Sequence, residues 1–113
     1  MTNKITHTQG PWEILPEECD KPYIRIRGSV LGRRYKIANV LTPTYEGVRP
    51  EEAEETRCNA RLIAAAPDLL EALKGLYEET ADYLKRNNLD GINNQHMRLA
   101  RIALRKALPD YET

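Results

Sequence analysis

Long apolar runs are absent from the sequence, and none approaches the roughly 18 residues that a membrane-spanning helix needs. The first ten residues, Met1 to Gly10, are polar and lack the apolar core of a signal peptide. Cysteine is scarce, since Cys19 and Cys58 are the only two, and their spacing is not that of a metal-ligand pair. These absences predict a reduced, cytoplasmic protein with two incidental thiols.

Net charge is absent as well, because 17 basic and 17 acidic side chains cancel. This balance argues against a general nucleic-acid coat, and no recognised DNA- or RNA-binding motif occurs, so nucleic acid is not an expected partner. The charges are nonetheless unevenly distributed. Residues 49–82 carry four basic and nine acidic groups, whereas residues 83–108 carry six basic groups and one acidic group. The sequence therefore combines an acidic centre with a basic final segment.

Catalytic and cofactor motifs are not found. No nucleophile elbow, phosphate-binding glycine loop or zinc-ligand spacing occurs. His7 and His96 have no motif partner, which favours exposed and inert histidines. The glutamates between Glu51 and Glu55 offer paired carboxylates or a metal site, but solvated residues in the first turn of a helix explain them better. We therefore predict a protein that is not an enzyme and that uses neither a cofactor nor a metal.

The composition that remains is that of one ordinary globular domain. Hydrophobic residues make up 41% of the chain and charged residues 30%. A chain of this length buries roughly 65% of the surface that its unfolded form exposes, which is enough for an independent core. We predict a single domain over residues 1–113, with a flexible lead-in at 1–10, a β region at 11–48 and a helical region at 50–108.

Three segments of the β region have strand character. Residues 11–15 form a short candidate strand, and residues 23–27 and 33–41 alternate between apolar and polar side chains with period two. Gly28 and Gly32 bracket a loop of hairpin length between the two alternating segments. The pattern predicts a small N-terminal antiparallel sheet of about three strands.

Helical patterns follow the strands. Pro50 fits the first position of a helix. Because Pro67 has no amide hydrogen and restricts the residue before it, we predict that a first helix ends at Ala66 and that a second runs from Pro67 to about Asn87. Strands first and helices afterwards, without alternation, is the α+β pattern.

The last helix is predicted from a cap at Asn93 or Asn94 to Leu108, forming an antiparallel hairpin with the helix before it. It is apolar over about two thirds of its circumference, more than one packing partner covers. A second copy of the chain is the simplest further partner, so we predict a homo-oligomer, with a dimer favoured, through the C-terminal helices. The alternative is a monomer in which the sheet covers that side. The polar remainder of the helix is a narrow basic ridge of Arg98, Arg101 and Arg105.

Two motifs carry a resemblance to a known group. The stretch from Asn59 to Leu73, NARLIAAAPDLLEAL, resembles a hallmark of many small phage and prophage accessory proteins, and the stretch from His7 to Trp12, HTQGPW, is similar to a second motif of that group. Most members are uncharacterised, so the resemblance implies a phage setting and a shared architecture rather than an activity. The residues themselves favour structural roles: alanines allow close helix packing, and Trp12 suits a core position in which its indole nitrogen finds a carbonyl.

The strongest candidate binding residues lie in the strands. We predict a hairpin register that pairs Arg25 with Lys36 and Arg27 with Arg34, because it separates the isoleucines from the cations. Cations on neighbouring positions repel each other, and an anion among them would relieve that repulsion. A solvated face, or one neutralised by the glutamates of the first helix, is the alternative. The predicted ligand-binding residues are Arg25, Arg27, Arg34, Lys36, Tyr23 and Tyr35.

Two functions remain open. The first is a non-enzymatic protein that binds a phosphate-bearing small molecule. In a phage setting its use would be anti-defence, by sequestering a nucleotide immune signal of the bacterial host, and a sheet followed by two long helices resembles known signal sponges in outline. The alternative is a protein–protein interaction module that inhibits or recruits a host factor through its apolar last helix or its acidic first helix.

Overall fold

The computed structural model describes residues 7–18, 22–28, 35–41 and 50–111. Strands come first and helices follow, so the predicted α+β class is confirmed, with a three-stranded antiparallel sheet and two helices after it. The elements are β1 (Trp12–Ile14), β2 (Tyr23–Gly28), β3 (Tyr35–Leu41), α1 (Pro50–Arg86), a 3₁₀ turn (Gly91–Asn93) and α2 (Gln95–Ala107).

The chain forms two compact units, Met1–Asp68 and Leu69–Thr113. The sheet and the first half of α1 belong to the first unit, and the rest of α1 belongs to the second unit with α2. The boundary between the units lies inside α1, so one continuous helix contributes to both. The single domain that we predict over residues 1–113 stays a prediction.

The sheet has β2 at its centre, with β1 and β3 paired antiparallel on either side. Arg25 pairs with Asn39 and Arg27 with Lys36, because the register between β2 and β3 shifts by one residue just before Arg27. The predicted pairing of Arg25 with Lys36 and of Arg27 with Arg34 is therefore wrong. Arg34 itself lies outside the described residues.

The register shift has its cause in the sequence of β3. The apolar residues of this strand change parity, since Ile37 is followed directly by Ala38 and then by Val40. Strict alternation would turn either Ile37 or Val40 away from the core. One extra residue at Ile37, a β-bulge, lets all three pack against the core of the first unit.

The core of the first unit lies between the sheet and α1. Ile24 and Ile26 of β2 pack against Ala60 of α1, and all three side chains are buried. Ala64, one turn further along the helix, contacts the same cluster. Small side chains at these positions allow the helix to lie close to the sheet, which is the structural role that we predict for the alanine-rich motif.

The two sequence motifs meet at Gly10 and Pro67. A β-carbon at Gly10 would lie 3.0 Å from both Cβ and Cγ of Pro67, so a larger residue at this position would require Pro67 to shift by a few tenths of an ångström. Trp12 packs on the isoleucine cluster, and its indole Nε1–H donates to the carbonyl oxygen of Thr8 at 3.0 Å. The carbonyl partner predicted for Trp12 is confirmed, and its ring is half-buried against the core rather than inside it.

The first helix does not end before Pro67. α1 is one continuous helix of 37 residues with Pro67 inside it, so the predicted break after Ala66 is wrong. A proline in a helix interior costs about 3 kcal/mol, because it removes a hydrogen bond and crowds the preceding turn. Here Pro67 is itself buried, and Ile63 before it and Leu70 after it pack against the cores of the two units. This packing on both sides offsets the local cost.

The core of the second unit forms between the end of α1 and α2. Leu104 is fully buried, and Tyr77, Ala81 and Met97 are at most 8% exposed. Tyr111 closes this cluster, since its ring lies 6.3 Å from that of Tyr77 in an edge-on arrangement. The two helices therefore bury one face of each against the other.

The start of α2 agrees with the sequence pattern. The side-chain oxygen of Asn94 accepts a hydrogen bond from the amide of Met97 at 2.8 Å, which confirms one of the two predicted caps. The helix ends at Ala107, one residue before the predicted Leu108. The amide of Leu108 still donates to the carbonyl of Leu104 at 2.7 Å.

Candidate functional site

The sheet outer face, the side of the sheet turned away from α1, carries most of the predicted ligand-binding residues. Tyr23, Arg25 and Arg27 alternate with the buried isoleucines of β2, so they share this face. Lys36 joins them, because it is paired with Arg27. The structure thus brings three of the four predicted cations together with one predicted tyrosine.

The other two predicted residues adjoin the connection between β2 and β3. Arg34 lies outside the described residues. Tyr35 begins β3, and its backbone pairs with Gly28. Their contribution to a common site stays a prediction.

Carboxylates accompany the cations of the sheet outer face. The Nη2 of Arg25 lies 2.7 Å from Oε1 of Glu18 and also donates to the carbonyl of Pro16 at 3.3 Å. Glu13 of β1 stands directly opposite Arg27 in the register of the sheet. The face is therefore not a cluster of unopposed positive charge.

Arg27 has a structural role at the β-bulge. Its Nη1 donates to the carbonyl oxygens of Ile26 at 2.9 Å and Ala38 at 3.1 Å, and its Nη2 donates to Oδ1 of Asn39 at 3.1 Å. A bulge disrupts the hydrogen bonds of the ladder locally, and a guanidinium with five donors can satisfy the carbonyls left there. Arg27 is thus engaged by the fold.

The predicted basic ridge of α2 divides into two parts. Arg101 is half-buried, and its Nε donates to the hydroxyl of Tyr77 at 2.8 Å while its Nη2 donates to the carbonyl of Ile92 at 3.3 Å. Its guanidinium also lies 5.9 Å from the centroid of the Tyr77 ring. Arg98 and Arg105 are exposed. Arg101 therefore stabilises the packing of the helix pair, and its two neighbours in the ridge face solvent.

A pocket of about 300 Å³ opens in the first unit beside α1. Its polar lining consists of Glu17, Arg57 and Arg61. A few polar groups over an apolar floor is the usual construction of a small-molecule site. The apolar floor is formed by Ile14, Leu15, Pro16, Ile24 and Ala60.

Two carboxylates hold the arginines of this pocket. Arg57 donates through Nε and Nη2 to the two carboxylate oxygens of Glu17, at 2.9 and 3.4 Å, and its Nη1 lies 3.4 Å from Oε2 of Glu54. Arg61 contacts Oε1 of Glu54 at 3.1 Å and Sγ of Cys58 at 3.0 Å, in both cases through Nη2. Within the part of the chain that the structure describes, the contacts of Arg61 therefore use Nη2, and Nε and Nη1 make no hydrogen bond.

These contacts shift three pKa values. Hydrogen bonds from Arg61, and then from Arg57, hold the pKa of Glu54 below its usual range. The pKa of Arg57 is raised, chiefly by the hydrogen bond to Glu17, and the pKa of Arg61 is raised, chiefly by the hydrogen bond to Glu54. All three groups are therefore charged at neutral pH.

We expect this network to be visible in the titration of Glu54. Because its pKa is lowered in the folded state, Glu54 contributes stability above its unfolded pKa, and that contribution is lost as the pH falls through the folded pKa. Arg61→Gln removes its first partner and should raise the midpoint of the Glu54 carboxyl titration followed by NMR. Lys74→Gln, a change in the second unit, should leave it unaltered. An unchanged midpoint in Arg61→Gln would contradict the network.

The sequence patterns predict the sheet outer face as a binding site but do not predict this pocket. The successive spacings of Glu54, Arg57 and Arg61 are three and four residues, so the sequence alone predicts that they share one helix face and can form ion pairs. Glu17 is 40 residues from Arg57, and no local pattern links the two. Glu54 is exposed, as predicted for the glutamates at the start of α1, and it also pairs with Arg57 and Arg61 of its own helix.

Metal-ligand clusters and membrane-spanning helices are both absent from the described residues. Among residues 7–18, 22–28, 35–41 and 50–111, no group of three or more His, Cys, Asp or Glu side chains is placed to hold a metal ion. No helix in these ranges is both long and apolar enough to cross a bilayer. Cys58 is an exposed free thiol.

Comparison with known proteins places the chain among phage proteins. A family model described as Salmonella phage P22 protein Y8K6 matches residues 1–110. No curated protein and no solved structure matches the chain. The matched range covers nearly the whole chain.

Proposed function

This chain belongs to the family of Salmonella phage P22 protein Y8K6, and from this premise we propose that it is a phage protein that acts by binding, without catalysis. Its proposed ligand is a small anion with an apolar body. The observation that carries the proposal is the pocket beside Arg57 and Arg61. An apolar floor takes up the body of such a ligand, and the guanidinium groups at the rim take up its charge.

Hydrogen-bond donors on Arg61 favour an anion in the pocket. Two arginines and one glutamate line it, and Glu54 beside it pairs with both arginines, so these four side chains together carry no net charge. Arg57 is bound to Glu17, whereas Arg61 retains two donor nitrogens within the described residues. Guanidinium forks match the geometry of both phosphate and carboxylate. Arg61 is therefore the residue that we expect to bind the charged group of the ligand.

The size of the pocket limits the ligand. A volume of about 300 Å³ lies at the lower end of the range for small-molecule sites. A phosphate-bearing molecule with a flat base, or a carboxylate with an apolar tail, has the required combination of charge and apolar surface. In a phage protein the first of these would serve anti-defence, by sequestering a nucleotide immune signal in the host cytoplasm.

A second candidate site for a nucleotide is the sheet outer face. The observation that favours it is the common face of Tyr23, Arg25 and Lys36, which offers a ring for stacking beside two cations. Lys36 is exposed. Arg34 and Tyr35 complete the set that the sequence predicts.

One titration with two variants distinguishes the sites. Thermal melts and calorimetric titrations would use a phosphate series (AMP, cyclic nucleotides and adenosine diphosphate ribose) and a carboxylate series (3-phenylpropionate and hexanoate, with their uncharged amides). A ligand at a hundred times its Kd should stabilise the protein by about 2.7 kcal/mol, which is several degrees in Tm.

Arg61→Gln should weaken binding roughly tenfold to a hundredfold, since a hydrogen bond to a charged group contributes about 1.5–3 kcal/mol. Arg25→Gln is the matched control and should leave binding unchanged.

Each other outcome has a definite meaning. If Arg25→Gln abolishes binding and Arg61→Gln does not, the sheet outer face is the site. If the amides bind as well as the acids, the charged group is not what the pocket recognises. If no member of either series shifts the melt, the protein does not bind this class of ligand and the proposal is wrong.

A further inference from the structure

One side of α1 in the second unit carries a line of exposed apolar residues. Leu69, Leu76 and Tyr83 are 52%, 66% and 56% exposed. They are seven residues apart, and two turns of a helix bring a side chain back to nearly the same angle, so they form one stripe. At 1.5 Å per residue the stripe is about 21 Å long. Large apolar residues exposed in one line are typical of a protein–protein contact.

The second helix adds a row of apolar residues on the same side. Leu99, Ala103 and Ala107 are exposed and four residues apart, on the flank of α2 opposite Arg98 and Arg105. On a helical wheel that advances by 100° per residue, the stripe lies about 100° behind the core-facing residues of α1. The row lies about 110° behind the core-facing residues of α2, in the same rotational sense. In an antiparallel pair of right-handed helices, such displacements point to the same side. Stripe and row therefore form one surface, the helix-pair face.

We infer that the helix-pair face binds the same face of a second copy of this chain, around a two-fold axis beside Leu76. A two-fold contact uses one self-complementary surface twice. With the axis at Leu76 and the α1 helices antiparallel, Leu69 lies opposite Tyr83 of the partner subunit, and the reverse contact forms as well. Three large apolar residues of each copy are then covered.

A hollow on the helix-pair face fits this arrangement. It has a volume of about 350 Å³ and is lined by Glu79, Thr80, Tyr83 and Arg86. The two-fold axis brings Leu69 of the partner subunit to this hollow. A side chain that enters a hole between residues of a facing helix is the packing of coiled coils, whose apolar residues recur with the same seven-residue period.

The charges beside the stripe permit the contact. Glu79 flanks the stripe, and the two-fold axis at Leu76 places Leu73 of the partner subunit level with it, so no carboxylate lies opposite another there. Arg86 is neutralised within its own helix by Asp82, at 3.0 Å. Like charges are therefore not forced together when the two faces meet.

The area of the face suits a weak dimer. Two helices of about 10–12 Å diameter lying side by side over about 20 Å, the length of the 13-residue α2, present about 400–480 Å² per copy. The two copies together then cover about 800–960 Å², just below the usual size of a stable interface. We therefore expect the second copy to bind weakly, at the upper end of a micromolar concentration range.

Sedimentation equilibrium from 1 to 500 µM on the full chain tests the inference. The unaltered protein should be a dimer at the upper concentrations. Leu76→Glu should raise the dimer Kd at least a hundredfold, because the two-fold axis would bring the two introduced carboxylates together in a desolvated contact. Ile102→Glu is the matched control: Ile102 is 62% exposed but lies on the far side of α2, so this variant should still dimerise.

Thermal melts of dilute samples check that the variants remain folded, and since Leu76 is 66% exposed, its substitution should leave the monomer stable. A protein that stays monomeric up to 500 µM would overturn the inference, as would a Leu76→Glu variant that dimerises like the parent. A monomer that binds a host protein through Leu76 would also overturn it, and would favour the interaction module that is the alternative function. None of these results depends on the anion pocket, which lies in the other unit.

Discussion

Replacing Leu104 by alanine should lower the free energy of unfolding by about 2–5 kcal/mol, the usual range for a large apolar residue removed from a core. Leu104 is 0% exposed and lies at the centre of the cluster between α1 and α2. The loss combines the transfer free energy of the deleted atoms with the cavity that remains. This loss is a large fraction of the roughly 5–15 kcal/mol by which such domains are stable. For a chain of this length each kcal/mol lowers Tm by about 4 °C, so Tm should fall by roughly 8–20 °C.

Denaturant unfolding followed by circular dichroism at 222 nm measures the effect, because α1 and α2 contribute most of the helical signal. Ile102→Ala is the control on the same helix, and its 62% exposure predicts a change within about 0.5 kcal/mol. Leu104→Met, which preserves volume, should cost less than about 1.5 kcal/mol. Equal losses for Leu104→Ala and Ile102→Ala would mean that the helix pair does not pack as described.

Local patterns were sufficient to locate most elements of the fold. Alternation with period two identified β2 and most of β3, and the apolar face with a capping asparagine identified α2. These signals are readable from sequence because each arises from a single element: side chains alternate along one strand, and Asn94 caps the helix that it precedes. The order of the elements then determined the α+β class.

Two errors in the predicted fold have a common cause. Pro67 stays inside α1, and β3 contains a bulge at Ile37. In both cases a local rule was outweighed by packing elsewhere in the chain, against Gly10 and the cores in the first case and against the isoleucines of β2 in the second. A local conformational preference of a few kcal/mol can be overridden when the free energy gained by burying apolar side chains is of the same size.

The candidate sites show the same division between local and non-local information. The common face of Arg25 and Arg27 follows from strand alternation alone and was predicted. The partners of these arginines cannot be predicted from alternation. Glu18 contacts Arg25 from a loop, and Arg27 donates to the carbonyl of Ala38 beside the β-bulge, where the hydrogen bonds of the ladder are disrupted. The pocket needs β1, the segment after it and α1 at once, so no single segment indicates it.

Replacing Ile26 by alanine should also destabilise the protein, by about 2–5 kcal/mol. The same variant tests whether the two units unfold together as one cooperative domain. Ile26 is 0% exposed in the core of the first unit, and the only tryptophan, Trp12, packs on the same cluster. Fluorescence of Trp12 therefore reports on the first unit, while circular dichroism at 222 nm reports on the helices of both. Ile14→Ala, at the position directly opposite Ile26, is the control, and its 38% exposure predicts a loss of about 1 kcal/mol.

A single cooperative domain requires the two signals to shift together in Ile26→Ala. The physical reason to expect this is α1, since the boundary between Asp68 and Leu69 falls inside a continuous helix. Melting the first unit would unwind the helix up to that boundary and remove hydrogen bonds from the first turn beyond it. If Trp12 fluorescence moves to lower denaturant while most of the helical signal stays, the two units unfold separately. The single-domain prediction would then be wrong.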